Sequence, residues 1–464
     1  MKESGMIAEW IAKIDDLVWG PGMLCLLLGT GVYLMLMLRF LPLRNLKFAL
    51  LCAVGMEPKG EGKAEGSGNG VSSFSALTTE LAATIGTGNI VGVATAMVLG
   101  GPGALFWMMV SSLIGMATKL VESTLSVKYR RRNGRGEWVG GPMYTMAYGF
   151  KNRWIGKLLG MCFASFAVMA SFGMGNMTQS NSIADALLVT FGVNKAKTGL
   201  VVSVVTILVV LGGIGVISKV TQVLVPLMGT FYLVGTLGVI LTHLSQVPFG
   251  LWQIMAMAFA PQAVAGGVCG HITVTMMQSL RYGVSRGVFS NEAGLGAAGI
   301  SAAAADTTDY IKQGYISMTG VFLDTIVICS ITGLAIAASG VLGSLDGNGE
   351  LLTGTALTIA VFETTFGQHG AAFISICITL FAFATIVGWA YQGEKAFEFL
   401  AAGKERYCLY YRFIYGLVAF IGAVCSLEVV WDFSDICNAL MAVPNLICVI
   451  LLSRGICREI RQYK

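Results

Sequence analysis

An all-α polytopic membrane protein with about eleven transmembrane helices is the fold class this sequence predicts, and three observations carry the prediction. Of its 464 residues 55% are hydrophobic and only 12% charged, where a soluble domain averages roughly 25% charged. Apolar runs long enough to span a bilayer, which takes ~20 residues, recur along the whole chain. The 60 glycines sit inside those runs rather than in a linker, as close helix packing in membranes requires. Backbone groups in lipid must be satisfied internally, so the spans are helices. A β-barrel would alternate apolar and polar residues, and the run from Leu200 to Leu211 does not.

Residues 1–18 place Met6, Ile7, Trp10, Ile11, Ile14 and Leu17 on one helical face, with Glu9, Lys13, Asp15 and Asp16 mostly opposite. This pattern predicts a helix lying on the outer membrane surface. A first span follows at 19–39, then a Gly/Lys/Glu/Ser-rich loop at 56–72. Ten further spans are expected at 74–99, 103–128, 155–190, 199–217, 219–243, 253–288, 314–342, 369–400, 408–427 and 432–453. Several exceed one crossing and imply a break or tilt. With the C-terminus inside, 25 of the 30 Lys and Arg fall on the cytoplasmic side, Arg281 and Arg286 among them. The positive-inside rule therefore places the N-terminus outside and the C-terminus in the cytoplasm, in a plasma (inner) membrane.

Several function classes recede. The eleven cysteines are scattered singly without a CxxC pair, and His243, His271 and His369 lie far apart, so neither a disulfide framework nor a zinc site is expected. Neither GxxxxGK[ST] nor HExxH occurs. The reading is therefore no enzyme, no ATP, no prosthetic group and no nucleic-acid partner. Membrane lipid is an expected partner, and oligomeric state is left open.

The segment Leu81-Ala-Ala-Thr-Ile-Gly-Thr-Gly-Asn-Ile-Val-Gly92 carries most of the chemistry. Gly86, Gly88 and Gly92 interrupt a helix, while Thr84, Thr87 and Asn89 add polar groups at mid-membrane depth. Irregular backbone there is tolerated only where it is buried in protein or lines a cavity. Such a break offers free N–H groups to a carboxylate and free carbonyls to a cation. A small-residue packing seam is the bland alternative. A second Gly-rich stretch, Ala263 to Gly270, contains Gly266 and Gly267 and predicts a partner break. With the first span counted as extra, helices 2–6 and 7–11 form two sets of five with a break in the first helix of each. An odd number per set makes the repeats inverted. The chain then divides into an outer interfacial helix (1–18), an extra helix with its cytoplasmic loop (19–72), a first five-helix repeat (73–245), a second inverted repeat (246–455) and a cytoplasmic tail (456–464). Two matched breaks point to a secondary transporter.

Other candidates are single side chains. The fourth span carries Asn176, Thr178, Gln179, Asn181, Ser182 and Asp185, ligand contacts or helix-to-helix glue, with Gln179 the best of them. Ala382, Thr385 and Trp389 follow one another at helical spacing. The Thr385 hydroxyl suits sodium, a hard cation, and Trp389 could wall a pocket or simply pack. Asp324 and Glu80 are possible ion or gate residues. Lys119 and Glu122, three apart, are expected to pair. Ser290 to Gly296 reads as a structured inner loop at the cytoplasmic edge.

Gly100-Gly-Pro-Gly-Ala-Leu-Phe-Trp-Met-Met-Val-Ser-Ser-Leu-Ile-Gly115 resembles the signature of the alanine-or-glycine:cation symporter family, with Met109 where the family has a second Trp. Ile85 to Val93, Gly140 to Tyr144, Gly175 to Ser182, Ser290 to Gly296 and Gly388 to Glu394 also resemble its motifs, in order. The resemblance implies the five-plus-five amino-acid transporter fold and sodium-coupled import of alanine or glycine by alternating access, with transport of D-alanine left open and H+ the weaker candidate as coupling ion. It implies substrate contacts at Ala83, Thr84, Gly86, Thr87, Gly88 and Asn89, with Gln179 and Trp389 nearby. A sodium site would use the Ala82 and Ile85 carbonyls, the Thr385 hydroxyl and Ala382 beside it. Ile386 stands where the broader fold often has a second hydroxyl. A glutamine or larger neutral amino-acid symporter, and a channel, are the rival readings.

Overall fold

The computed structural model describes residues 13–14, 18–56, 70–260, 262–264, 272–404 and 406–463. The chain opens with α1 (Pro21–Met37) and α2 (Leu46–Ala53). The next apolar segment is split into α3 (Ser73–Thr84) and α4 (Val91–Leu99), and α5 (Gly103–Lys128) follows. A hairpin of β1 (Arg131–Arg132) and β2 (Trp138–Val139) leads to α6 (Pro142–Gly149). Helix α7 (Arg153–Phe172) continues through a π turn at Gly173–Met177 into α8 (Thr178–Phe191). Next come α9 (Lys195–Leu211), α10 (Gly213–Thr242) and α11 (Val247–Phe259). A second antiparallel hairpin, β3 (Gln262–Val264) with β4 (Thr273–Thr275), precedes α12 (Met276–Asn291) and the short α13 (Ala297–Ala302). Helix α14 (Tyr310–Val321) joins α15 (Ser330–Ser339) through a π segment at Phe322–Cys329. The chain ends with α16 (Gly354–Phe366), α17 (Gln368–Leu400), α18 (Arg406–Val424) and α19 (Leu427–Gln462).

Among the described residues, seven stretches are long and apolar enough to cross a membrane: α5, Arg153–Phe191, α10, Tyr310–Ser339, α17, α18 and Val430–Gln462. The other four expected spans are shorter or interrupted. Helices α1 and α9 have 17 residues each, and the 74–99 segment is split between α3 and α4. The expected span 253–288 is not one helix, because the β3–β4 hairpin separates α11 from α12. The boundary between the expected spans 199–217 and 219–243 also moves. The chain turns at Gly212 and Gly213, whose φ of 64° suits a residue without a Cβ, so Lys219 lies within α10. The interfacial helix expected at 1–18 falls mostly outside the described residues.

Burial is distributed as a lipid environment requires. Leu200, Leu208, Val223, Leu241 and Leu417 point outward on α9, α10 and α18, while Glu80, Asn89, Lys119, Gln179, Asp324 and Thr385 are buried. Polar groups that turn inward in a membrane bundle mark a pathway or a site. Small residues bring the key helices together. A Cβ on Gly388 of α17 would lie 2.6 Å from the Ala83 backbone nitrogen of α3, so α3 and α17 touch main chain to side-chain-free face. That contact places Thr385, one turn earlier on α17, against the end of α3.

Candidate functional site

Helix α3 starts with Ser72 capping the Ser75 N–H at 3.0 Å and stops at Thr84. Gly86 interrupts it, a single 3-10 turn covers Thr87–Asn89, and α4 resumes at Val91. The break is closed on itself by Asn89, whose Oδ1 accepts from the Gly86 N–H at 2.9 Å. The Gly86 φ of −132° is open to any residue; space is what demands glycine. A Cβ there would collide with Thr385 Oγ1 and lie 3.1 Å from Gln179 Oε1. Gly86→Ala is therefore expected to push Thr385 and Gln179 off the break and to cut substrate uptake at least tenfold. Overpacking a tight site costs ~1–3 kcal/mol, so the carrier still folds. Initial-rate uptake beside a size-exclusion profile checks this, and a folded variant with wild-type rates would refute it.

Thr87 uses both of its donors on one acceptor. Its N–H and Oγ1 reach Gln179 Oε1 at 3.1 and 2.9 Å, and Gln179 Nε2 donates to the Met174 carbonyl at 3.0 Å. Gln179 lies just after the π turn at Gly173–Met177. Its polar neighbours on this segment are occupied elsewhere. Asn176 bonds the Tyr415 carbonyl, Thr178 meets Ser434, Asn181 bonds the Gly422 and Cys425 carbonyls, and Asp185 pairs with Lys195. Those residues tie α8 to its neighbours, and Gln179 reaches the break.

On α17, Thr385 Oγ1 donates to the Ala82 carbonyl at 3.0 Å. Ile85 is buried at the C-cap of α3. Ala382 lies one turn before Thr385, but its methyl joins Ile386 and Ala390 in a cluster with Tyr411 and Tyr415, leaving its carbonyl as the group it could give. Trp389 is buried, and Gly175 lies so close that a Cβ there would strike its ring. The Trp389 indole Nε1 has no hydrogen-bond partner.

A further irregular segment meets the first break. Gly266 and Gly267 lie outside the described residues. Helix α12, which ends at Asn291, also meets the Thr87–Asn89 turn. Glu292, Gly294 and Gly296 then adopt positive φ values of 57°, 91° and 83° before α13. Ser290 to Gly296, the structured loop of the sequence reading, is buried. A Cβ on Gly88 would lie 3.2 Å from both Phe289 and the Ser290 Cα, so the two breaks abut. Asp324 clasps them together. Asn89 Nδ2 donates to its Oδ1 at 2.7 Å, and Ser290 and Thr325 donate to its Oδ2 at 2.8 and 2.7 Å. The signal was present in the sequence: Ser-Asn-Glu-Ala-Gly-Leu-Gly mixes glycine with amide, hydroxyl and carboxyl groups, as the first break does.

One further expectation changes. Lys119 pairs with Glu80 of α3 at 3.4 Å and donates to the Asn291 carbonyl at 2.9 Å. Glu122 instead accepts from Asn445 at 2.8 Å. Three residues of spacing permits a pair on one helix, but the unwound end of α12 gives Lys119 a second acceptor. Arg286 pairs with Asp435 at 2.8 Å, and the Asp435 carbonyl also receives the Trp19 indole N–H, which sets Arg286 level with the start of α1.

Two cavities lie near opposite ends of α17. One of about 670 Å³ is lined by Thr190, Glu363 and Gln368, the other of about 170 Å³ by Tyr391, Lys395 and Arg412. Thr385 stands between them in sequence. The arrangement thus has two abutting helix breaks, hydroxyl and amide groups converging on the first, and openings toward both ends of the helix that packs on it.

The whole chain matches one protein family, the sodium:alanine symporter family, over residues 4–464. The chain belongs to the sodium:alanine symporter family. Its relatives include the sodium/alanine symporter AgcS of Methanococcus maripaludis, 45% identical over 98% of this chain and 96% of that protein. The probable sodium/glutamine symporter GlnT of Bacillus subtilis is 36% identical over 98% of this chain and 91% of its own length. A putative sodium/proton-dependent alanine carrier, YrbD of Bacillus subtilis, is 32% identical over 99% and 93%. Among solved structures, MhsT in complex with L-phenylalanine has a TM-score of 0.60 at 13% identity and covers 83% of this chain and 89% of its own. That likeness concerns the fold. Membership makes this sodium:alanine symporter family member a multi-pass membrane transporter of the symport type, a role that fits a buried polar centre inside an apolar helix bundle.

Proposed function

We propose that the protein imports a small neutral amino acid, alanine or glycine, with sodium as the coupling ion, by alternating access. The observation that carries the reading is the α3–α4 break, where Gly86 leaves just enough room for the Thr385 hydroxyl and the Gln179 amide to converge. Sodium would bind the Ala82 and Ile85 carbonyls with Thr385 Oγ1, and Ala382 would contribute its carbonyl. The substrate would lie along Ala83, Thr84, Gly86, Thr87, Gly88 and Asn89, with its carboxylate on free N–H groups at the helix break. Gln179 and Trp389 would bound it. Gly266 and Gly267 belong to the sequence-based proposal alone. Asp324 would act as a gate that holds the two breaks together, and Glu80 as the anchor of α3. Eleven crossings, a five-plus-five inverted repeat after the first helix, and a cytoplasmic C-terminus complete the reading. The membrane potential would add about 2.3 kcal/mol per charge per 100 mV.

The test is uptake of radiolabelled alanine and glycine into proteoliposomes, with separate sodium and proton gradients and a panel of competing amino acids. Sodium-driven uptake blocked by unlabelled alanine and glycine is expected. Equal uptake without sodium would overturn the coupling. Strong competition by glutamine would favour the second reading, which the likeness to GlnT supports. Currents far above carrier turnover would indicate a channel.

A further inference from the structure

We propose that the corner formed by the β1–β2 hairpin, α6 and the start of α7 binds the phosphate headgroup of an anionic phospholipid. The proposal goes beyond the symport reading and does not depend on which amino acid is carried. The corner sits at the membrane boundary, because one spanning helix, α5, ends at Lys128 and the next spanning stretch begins at Arg153. Its centre is Tyr148 of α6, 40% exposed. The Arg131 guanidinium of β1 lies 4.3 Å from the centre of the Tyr148 ring. The Arg153 guanidinium, from the first turn of α7, lies 5.8 Å from the same ring. Arg153 also donates to the Ala147 and Tyr148 carbonyls at 3.2 and 3.0 Å. Two cations from separate elements are thus held at one aromatic ring.

Nothing nearby neutralises them. Lys151 and Lys157 are exposed on either side of Arg153 and add two more positive charges. Among the described residues no ion pair joins Arg131, Lys151, Arg153 or Lys157 to a carboxylate. From Ser123 to Gly160 the only acidic residue is Glu137, and its carboxylate is taken by Lys395 at 3.0 Å and Asn133 at 3.0 Å. Four gathered cations repel one another, and an anion placed among them removes that cost. The planar guanidinium fork matches phosphate oxygens. Contact with the tyrosine ring restrains both guanidiniums beforehand, so less freedom is lost when the anion arrives.

The adjoining surface selects a lipid over a free phosphate ion. Trp154, Leu158 and Met161 are 73%, 46% and 44% exposed. Their spacing of four and three residues makes one stripe along α7, leading from the cations into the apolar span. Tryptophan is favoured at the level where headgroups meet hydrocarbon, and Lys157 can lay its stem along that stripe with its ammonium at the headgroup. Phosphate and acyl chain thus each meet a matching surface, side by side. The headgroup would tie the hairpin to α7, while Glu137 and Lys395 tie the same hairpin to α17.

The test uses the full purified carrier in detergent, mixed with equal amounts of dioleoylphosphatidylglycerol and dioleoylphosphatidylcholine and read by native mass spectrometry. The wild type is expected to retain phosphatidylglycerol preferentially. Arg131→Gln combined with Arg153→Gln is expected to lower that preference roughly tenfold or more, since each basic residue near an anionic headgroup contributes about fivefold. Lys404→Gln combined with Arg406→Gln removes the same charge from exposed positions elsewhere and is expected to keep the preference. Equal retention of the two lipids by the wild type overturns the proposal. So does an equal loss in the two double variants, which would mark a diffuse field and not a site. Displacement of phosphatidylglycerol by an equal amount of inorganic phosphate overturns the lipid as occupant. Should the arginine pair not fold, Lys151→Gln combined with Lys157→Gln gives the same decision: a fall in preference supports the site, and an unchanged preference overturns it.

Discussion

Thr385→Val is expected to abolish sodium-driven uptake at low sodium and to raise the sodium concentration for half-maximal rate by roughly 10- to 100-fold. The substitution keeps the shape of the side chain and removes the hydroxyl. A hydrogen-bonding contact to a charged group is worth ~1.5–3 kcal/mol, and each 1.4 kcal/mol is about a tenfold change in affinity. The same hydroxyl ties α17 to the Ala82 carbonyl at 3.0 Å, so its loss also frees that carbonyl. Thr385→Ser, which restores the oxygen, should recover most of the sodium affinity. The measurement is initial-rate alanine uptake across a sodium titration at fixed potential. A sodium curve for Thr385→Val that overlays the wild type would remove Thr385 from the sodium site.

The second large effect concerns stability. Lys119→Met leaves Glu80 buried at zero exposure with no cation beside it. Breaking a buried pair from one side costs ~3–5 kcal/mol, a large share of the ~5–15 kcal/mol that keeps a typical domain folded. The expected result is a large fall in the thermal unfolding midpoint in detergent and poor recovery from membranes. Lys119→Met combined with Glu80→Gln should be milder than Lys119→Met alone, because no charge is then stranded. Contacting residues depart from additivity by ~0.5–3 kcal/mol. Two single effects that simply add would show that Glu80 and Lys119 do not form a working pair. The same experiment on Glu122 separates the two partners, since Glu122 is held by Asn445.

These two predictions differ in how far the residues themselves revealed them. Thr385 could be picked from its place in an apolar span, because a hydroxyl one turn before a buried tryptophan is conspicuous in hydrocarbon. The Lys119–Glu80 pair could not. Spacing along α5 offered Glu122 as the partner, and only the packing of α3 and α14 against α5 brings Glu80 to the ammonium and Ser317 to Glu80. The polar face of α8 shows the same division. Gln179 stood out among six polar residues on this segment, and the contacts show its reach: it bonds Thr87 at the first break, while Asn176, Thr178, Asn181 and Asp185 bond neighbouring helices.

The sequence by itself determined that the chain lives in a membrane, most of its helical segments, where the first helix breaks and which family motifs it carries. These are local properties. An apolar run of sufficient length, or three glycines among threonines and an asparagine at mid-span, acts on its own few turns whatever surrounds it. The tertiary structure decided which acid Lys119 holds and that the Ser290–Gly296 turn is buried against the first break. Those outcomes depend on which faces of helices far apart in sequence come together. Sequence spacing contains no information about that choice until packing, through close approaches such as Gly388 on Ala83, fixes it.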